Sequence, residues 1–260
     1  MSTENQTKIN QLLSSVPTGI VLQSHWLKSE GYSLDLQKRY RNGNWLQSIG
    51  SGAMVRKGDK VGYEGAMYAL QKQSKLFIHP GGRTALSLLG KSHYLELSAK
   101  KAILFGGRSE KLPTWFHNHD WGLDIEYYKT SFLPPDVGLT EIELNNFSIK
   151  ISDATRAIME CLYLAPKKQD LIECFEIMEG LNNLLPSHVQ LLLEKCQSVK
   201  VKRLFLYLSE KANHEWFHSI DLNKIDLGKG KRSITRLGVY IPKYQITVPK
   251  ELEADGQGSI

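Results

Sequence analysis

The sequence predicts an α+β protein of two domains, and three observations carry that prediction. The chain has 260 residues, long for one compact core, with 41% hydrophobic residues. Short amphipathic helices and a hairpin fill its beginning, whereas strands followed by a run of helices fill the rest. Charge is also divided: residues 1–97 hold 12 Lys/Arg against 6 Asp/Glu, and residues 98–260 hold 21 of each, so the whole formal charge of +6 lies in the first part. The expected division is therefore a basic domain at 1–97, a neutral domain at 98–250 and a flexible polar tail at 251–260. A basic first domain points to a polyanionic partner.

The first elements follow from spacing. Ile9, Leu12, Leu13 and Val16 mark one face of a helix that Pro17 stops. Leu22 to Glu30, with Leu22 and Trp26 one turn apart, reads as a second helix ended by Gly31. A third runs through SLDLQKRYRN from Ser33, with Ser33 as N-cap, Asp35 in the first turn and Gly43 as terminator. Leu36 and Tyr40 share one side of it, and Lys38, Arg41 and Asn42 gather on the other. Trp45–Ile49 and Ala53–Arg56 then pair across Gly50-Ser51-Gly52. Two short helices joined through a glycine turn, the second basic, followed by a hairpin, give a winged helix-turn-helix with its core at about residues 5–60. Its expected DNA-contacting residues are Ser33, Gln37, Lys38, Arg39, Arg41 and Asn42 on the helix and Arg56 and Lys57 on the wing.

Further along, residues 63–73 and 83–89 read as helices, and 75–79 and 93–97 as strands. Residues 102–105, 122–128, 140–147 and 148–151 have strand character, with a loop or short helix near 113–121. Helices are expected over 153–163, 170–181, 188–197 and 199–211, then a Gly/Lys loop at 227–233 and an apolar strand region at 238–248. Lys200, Lys202 and Arg203 on the last long helix, with Lys229, Lys231 and Arg232 in the loop, form a candidate interaction surface.

Three patterns invite a chemical reading. His214-Glu215-Trp216-Phe217-His218 has HExxH form, which on an α-helix places two imidazoles one turn apart for zinc beside a general base; no obvious third ligand follows on a second helix, and Asp221 or Asp226 would have to serve. A helix-turn-helix regulator with a zinc peptidase site is therefore one alternative; a protein-interaction adaptor is another. His117-Asn118-His119-Asp120 has ligand residue types but lies between Trp115-Phe116 and Trp121, which favours packing. Gly228-Lys229-Gly230-Lys231-Arg232-Ser233 lacks the spacing of a phosphate loop. The reading calls for no catalytic residue, metal or cofactor. Cys161, Cys174 and Cys196, with no CxxC pair and no long apolar span in the chain, indicate a reduced, cytoplasmic protein without a membrane partner.

The chain resembles the AbiEi antitoxins, regulators encoded beside a nucleotidyltransferase-like toxin in abortive-infection systems. The likeness rests on the winged-helix order, GSGAMVRKG from Gly50, IHPGGRTALSLLGKSHYL from Ile78, SDATRAIMECL from Ser152, VKVKRLFLYL from Val199, LGKGKRSI from Leu227 and KYQITVP from Lys243. It implies a non-enzymatic repressor that binds inverted repeats of double-stranded DNA in its own promoter. It also implies a C-terminal domain that counteracts the toxin without requiring stable contact with it, and makes His214 and His218 incidental.

Overall fold

The computed structural model describes residues 7–90 and 101–254. The strand expected at 93–97 lies outside them. Two compact units are present: one takes Met1–His79, Lys100–Lys129 and Glu141–Lys150, the other Pro80–Ala99, Thr130–Thr140 and Ile151–Ile260. The chain thus enters each unit more than once, whereas the sequence places one boundary at 97/98.

The first unit begins with α1 (Lys8–Ser15), β1 (Leu22–Gln23), α2 (Ser24–Ser29), α3 (Leu34–Asn42), β2 (Leu46–Gly50) and β3 (Ala53–Arg56). These form an antiparallel sheet of order β1-β3-β2 behind three helices, the winged helix-turn-helix order. The second helix starts later than its apolar spacing suggests, because Leu22 and Gln23 pair with Met54 and Ala53. Ile9, Leu12, Ile20, Leu22, Leu27, Tyr40, Leu46 and Met54 make the core on which the three helices close. The expected helix at 63–73 is α4 (Tyr63–Tyr68) continued by a π-helical turn through Gln73. Residues 75–78 are irregular, and only His79–Pro80 forms a strand, β4. β5 (Lys101–Gly107) lies between β4 and β6 (Asp124–Thr130) in a three-stranded sheet, with α6 (Thr114–Asn118) in the connection. β7 (Leu139–Leu144) and β8 (Phe147–Ser152) form a hairpin that turns at Asn145, a residue at φ +49°. Asparagine tolerates that left-handed conformation.

In the second unit α5 (Gly82–Leu88), α7 (Ala154–Leu164), α8 (Leu171–Glu179), α9 (Pro186–Lys195) and α10 (Val199–Lys211) supply the helices. α7 is buried from Thr155 to Leu162 and α10 from Val201 to Ser209, so these two are central and have no single outward stripe. Buried inside is an ion pair, Arg156 Nε to Glu160 Oε1 at 2.9 Å, with both side chains 3% exposed or less. Glu160 Oε2 also accepts from Gly82 N (2.8 Å) and Ser152 Oγ (2.7 Å), while Arg156 donates to the carbonyls of Pro134 and Val137. The IHPGGR and SDATRAIMECL stretches therefore meet at one carboxylate. Gly82 adopts φ +52° where it presents its N–H to that carboxylate, a conformation that glycine accepts at no steric cost.

After α10 come two 3₁₀ turns and a small sheet of β9 (Arg232–Ser233), β10 (Val239–Ile241) and β11 (Ile246–Val248), in order β10-β11-β9. Glu251–Ala254 forms a short helix, α11, with Leu252 buried, so the polar tail expected from residue 251 begins as packed structure. Among the described residues no helix is long and apolar enough to cross a membrane.

Removing the cation of a buried pair leaves its partner charged and unsolvated. Arg156→Met is expected to lower stability by about 3–5 kcal/mol in urea denaturation; a loss below about 1 kcal/mol would show that Glu160 does not depend on it.

Candidate nucleic-acid interface

The helix-turn-helix is built by backbone geometry at two helix ends. Gly31 (φ +87°) ends α2, with Gly31 N bonded to Lys28 O (3.2 Å) and Tyr32 N to Leu27 O (2.8 Å). α3 ends the same way one residue later than the sequence suggests: Gly43 is the C-cap at φ −82° and Asn44 takes the left-handed position at φ +57°. Asn44 N reaches Arg41 O (3.1 Å) and Trp45 N reaches Tyr40 O (2.9 Å), so both ends are Schellman motifs. At Gly43 the missing Cβ leaves room for the Trp45 ring, which stands 3.2 Å from where that carbon would be. Ser33 caps α3, its Oγ accepting from Leu36 N at 3.3 Å.

The inward face of α3 is Leu36, Gln37 and Tyr40. Gln37 is 1% exposed. Its Nε2 donates to Ser24 O (3.1 Å) and Tyr32 O (2.8 Å), and its Oε1 accepts from Ser24 Oγ (2.6 Å). Gln37 is therefore withdrawn from the DNA-contacting set: its carboxamide locks α3 to α2 and has no free group for a base. The outward face carries Leu34, Asp35, Lys38, Arg39 and Asn42, all exposed, with Arg41 half-buried at its flank. Lys38, Arg41 and Asn42 stand together on one side of the helix as their spacing predicts.

The hairpin differs from the expected wing. Its turn is only Ser51-Gly52, and a bulge shifts the register between Ser48 and Gly50. Gly50 admits the backbone of α6, since a Cβ there would lie 2.9 Å from Trp115 Cβ. Arg56 and Lys57 lie at the opposite, open end, where Leu46 pairs with Arg56 and Lys57 N bonds Trp45 O (3.0 Å). Arg56 is partly engaged within the fold: its Nη2 donates to Leu13 O at the end of α1, and its Nε is buried without a hydrogen-bond partner among the described residues. Lys57 is exposed beside the end of α3.

Of the candidate interaction surface, Lys202 and Arg203 are interior and Lys200 is partly buried. Lys200 Nζ bonds Tyr163 O and Ala165 O, both at 2.6 Å, and burial pulls its pKa down. Lys202 and Arg203 are 4% and 2% exposed. Arg203 holds the Gly/Lys loop by donating to the carbonyls of Leu227 (2.8 Å), Gly230 (2.6 Å), Gly228 (3.2 Å) and Gln245 (3.1 Å). The cause is the burial of α10 on all sides. Lys229, Lys231 and Arg232 remain exposed, with Lys231 Nζ 4.9 Å from the Tyr240 ring centroid.

The HExxH alternative fails on geometry. Residues Glu215–Ser219 form a 3₁₀ helix, so His214 and His218 do not stack one turn apart. His214 Nε2 is 2.7 Å from Met178 O and its ring stacks on Trp216, while His218 is exposed. His119 instead packs edge-on against Trp121 at 4.4 Å between centroids, in an aromatic cluster with Phe116. The three cysteines are buried thiols; burial raises Cys161 and Cys174 and pushes Cys196 up to about 11.

Two family matches now bear on this architecture. Residues 5–97 match "Transcriptional regulator, AbiEi antitoxin N-terminal domain", and residues 99–249 match "Transcriptional regulator, AbiEi antitoxin, Type IV TA system". The chain belongs to the AbiEi antitoxin family of transcriptional regulators. Its fold is similar to the crystal structure of RV2827C protein from Mycobacterium tuberculosis, with a TM-score of 0.58 at 11% identity over 96% of this chain and 93% of that one. No curated protein gives a significant sequence match. As an AbiEi-family regulator the chain presents its helix-turn-helix within residues 5–97.

The sequence reading missed Leu34 and Trp45, exposed at 60% and 47% beside the two ends of α3. Their signal was available: large apolar residues lying off the Leu36/Tyr40 side.

Gln37→Met keeps the volume but strands two buried carbonyls. It is expected to lower stability by about 2–4 kcal/mol in urea denaturation. Arg203→Met is expected to expose the amides of residues 227–231 to hydrogen exchange by at least about tenfold, since each lost charge-assisted bond is worth about 1.5–3 kcal/mol; unchanged exchange would show that the loop holds itself.

Proposed function

We propose that this AbiEi-family regulator represses its own toxin–antitoxin operon by binding inverted repeats in the promoter, and counteracts a nucleotidyltransferase-like toxin encoded beside it. The observation that carries the DNA reading is the division of α3: its inner carboxamide is fully engaged within the fold, while Lys38, Arg41 and Asn42 stand outward together. In the major groove, Arg41 and Lys38 would donate to guanine edges and Asn42 would pair with adenine, with Arg39 and Lys57 on phosphates and Ser33 holding the helix start. The small hairpin and the exposed Trp45 flank this face. The antitoxin activity belongs to the C-terminal domain, with the exposed Lys229, Lys231 and Arg232 as its candidate surface; stable contact with the toxin is not required by this reading.

A mobility-shift titration against the chain's own promoter tests it. Arg41→Ala is expected to weaken operator binding by roughly 5- to 150-fold and to reduce the preference over scrambled DNA, the cost of one good base contact. Unchanged binding would remove α3 from the reading role. Absence of binding by the wild type at low salt, where phosphate contacts are strongest, would favour a protein adaptor instead. In cells producing the toxin, Arg41→Ala is expected to restore growth as the wild type does; failure to do so would tie antitoxicity to DNA binding.

A further inference from the structure

A cleft of about 580 Å³ opens beside the start of α3. Ser24, His25 and Lys28 of α2 line it, with Leu34 of α3, the hairpin turn Ser51-Gly52, and Lys111, Pro113 and Trp115 from the segment that enters α6. All belong to the first unit. No lining residue is acidic, which sets this cleft apart from the one lined by Thr18, Asp59 and Glu64. Lys28 and Lys111 are exposed and make no ion pair among the described residues. The carboxylate next to Lys111 in the chain, Glu110, is held away by backbone amides: Oε1 accepts from Phe77 N (2.6 Å) and Oε2 from Gly107 N (2.7 Å). Four residues beyond Lys111, Trp115 is packed against Gly50 of the hairpin.

We propose that this cleft seats the phosphates of one operator strand next to the bases read by α3, with Lys28 and Lys111 as the phosphate contacts. The DNA surface then extends beyond residues 1–97, since Lys111 is supplied by the segment matched to the C-terminal family description. In a helix-turn-helix the helix before the reading helix crosses the sugar–phosphate backbone, and Lys28 lies on that helix. Leu34, 60% exposed, joins the cleft to the reading face, so a strand leaving the groove beside Lys38 passes directly over it. Charge complementarity chooses the occupant: two unpaired ammonium groups and an imidazole around an open, acid-free cleft suit a continuous phosphate backbone.

The inference rests on the DNA-binding reading above, and the experiment separates the two. Affinity of the full chain for operator and for scrambled duplex is measured between 50 and 200 mM salt, for wild type, Lys28→Gln, Lys111→Gln, the double variant and Lys101→Gln. Lys101 is the control because its Nζ is already paired with Glu126 at 2.6 Å. Each neutralised phosphate contact lowers the slope of log affinity against log salt by about 0.9 and removes about three- to fourfold of the salt effect over that range. Lys111→Gln and Lys28→Gln are each expected to show this on both duplexes, with the ratio between duplexes unchanged, and the double variant about twice as much. Lys101→Gln is expected to match wild type, and all variants to melt like wild type. If Lys111→Gln leaves slope and affinity unchanged while Arg41→Ala still weakens operator binding, the cleft assignment is wrong and the DNA reading stands. If the slope is unchanged but inorganic phosphate protects Lys111 from acetylation, the cleft holds a free anion and the proposal fails. If wild type binds neither duplex, both readings fall.

Discussion

Irregular backbone can be buried only if something else completes its hydrogen bonds, and in the first unit glutamine side chains do so. Gln37 joins the α2–α3 turn. Gln23 and Gln73 exchange bonds with the chain around β1: Gln23 N donates to Gln73 Oε1 (2.9 Å), Gln73 Nε2 to Val21 O (2.8 Å) and Gln23 Nε2 to Ala69 O (2.9 Å). Gln71 bridges Ile78 O and the backbone of Lys150. β1 is two residues long, and the stretch after the π-helical turn forms no strand until His79. Without these carboxamides the short elements would lack the bonds that hold them at fixed angles. A helix whose direction is fixed to its partner by a buried amide, as α3 is by Gln37, presents its outer face rigidly.

The same accounting sorts the basic residues. Arg56, Lys200 and Arg203 end on backbone carbonyls, completing the end of α1, the chain after α7 and the Gly/Lys loop. These cations donate to peptide carbonyls within the fold. Lys38, Lys28 and Lys111 are exposed, as is Lys57, whose Nζ lies 3.5 Å from Gln47 Oε1, and all lie on the helix-turn-helix or the segment packed beside it. A net charge count treats both kinds alike. Only cations of the second kind are open to an external anion; they occur around α3 and its hairpin and also elsewhere, as at Lys229, Lys231 and Arg232.

Much of this was legible before any coordinates. Helix spacing at Ile9/Leu12 and Leu36/Tyr40, glycine punctuation at 31 and 43, and the Gly-Ser-Gly turn yielded the winged order with boundaries off by a residue or two, because local pattern and tertiary packing agree there. The late start of α2 was not legible, since the pairing of Leu22 with Met54 is 32 positions distant in the chain. The strands of the β7–β8 hairpin were expected at 140–147 and 148–151, but its turn was not legible, because Asn145-Asn146 sit inside a stretch of strand formers. For the site, the outward trio of α3 followed from the helical wheel, but Gln37 fell just outside the apolar arc and looked free. HExxH was misleading for the converse reason: five letters do not specify whether the backbone is an α-helix or a 3₁₀ turn.

By itself the sequence determined the fold class, the basic character of the first domain, the helix-turn-helix and the family, because each depends on periodicity, composition or a stretch of residue types. Only the tertiary structure decided which cations face outward, that Gln37 is a strut, and that Lys111 stands beside Lys28 and Leu34. Those facts depend on which backbone groups are left unpaired by neighbours far away in the chain, and no local pattern records them.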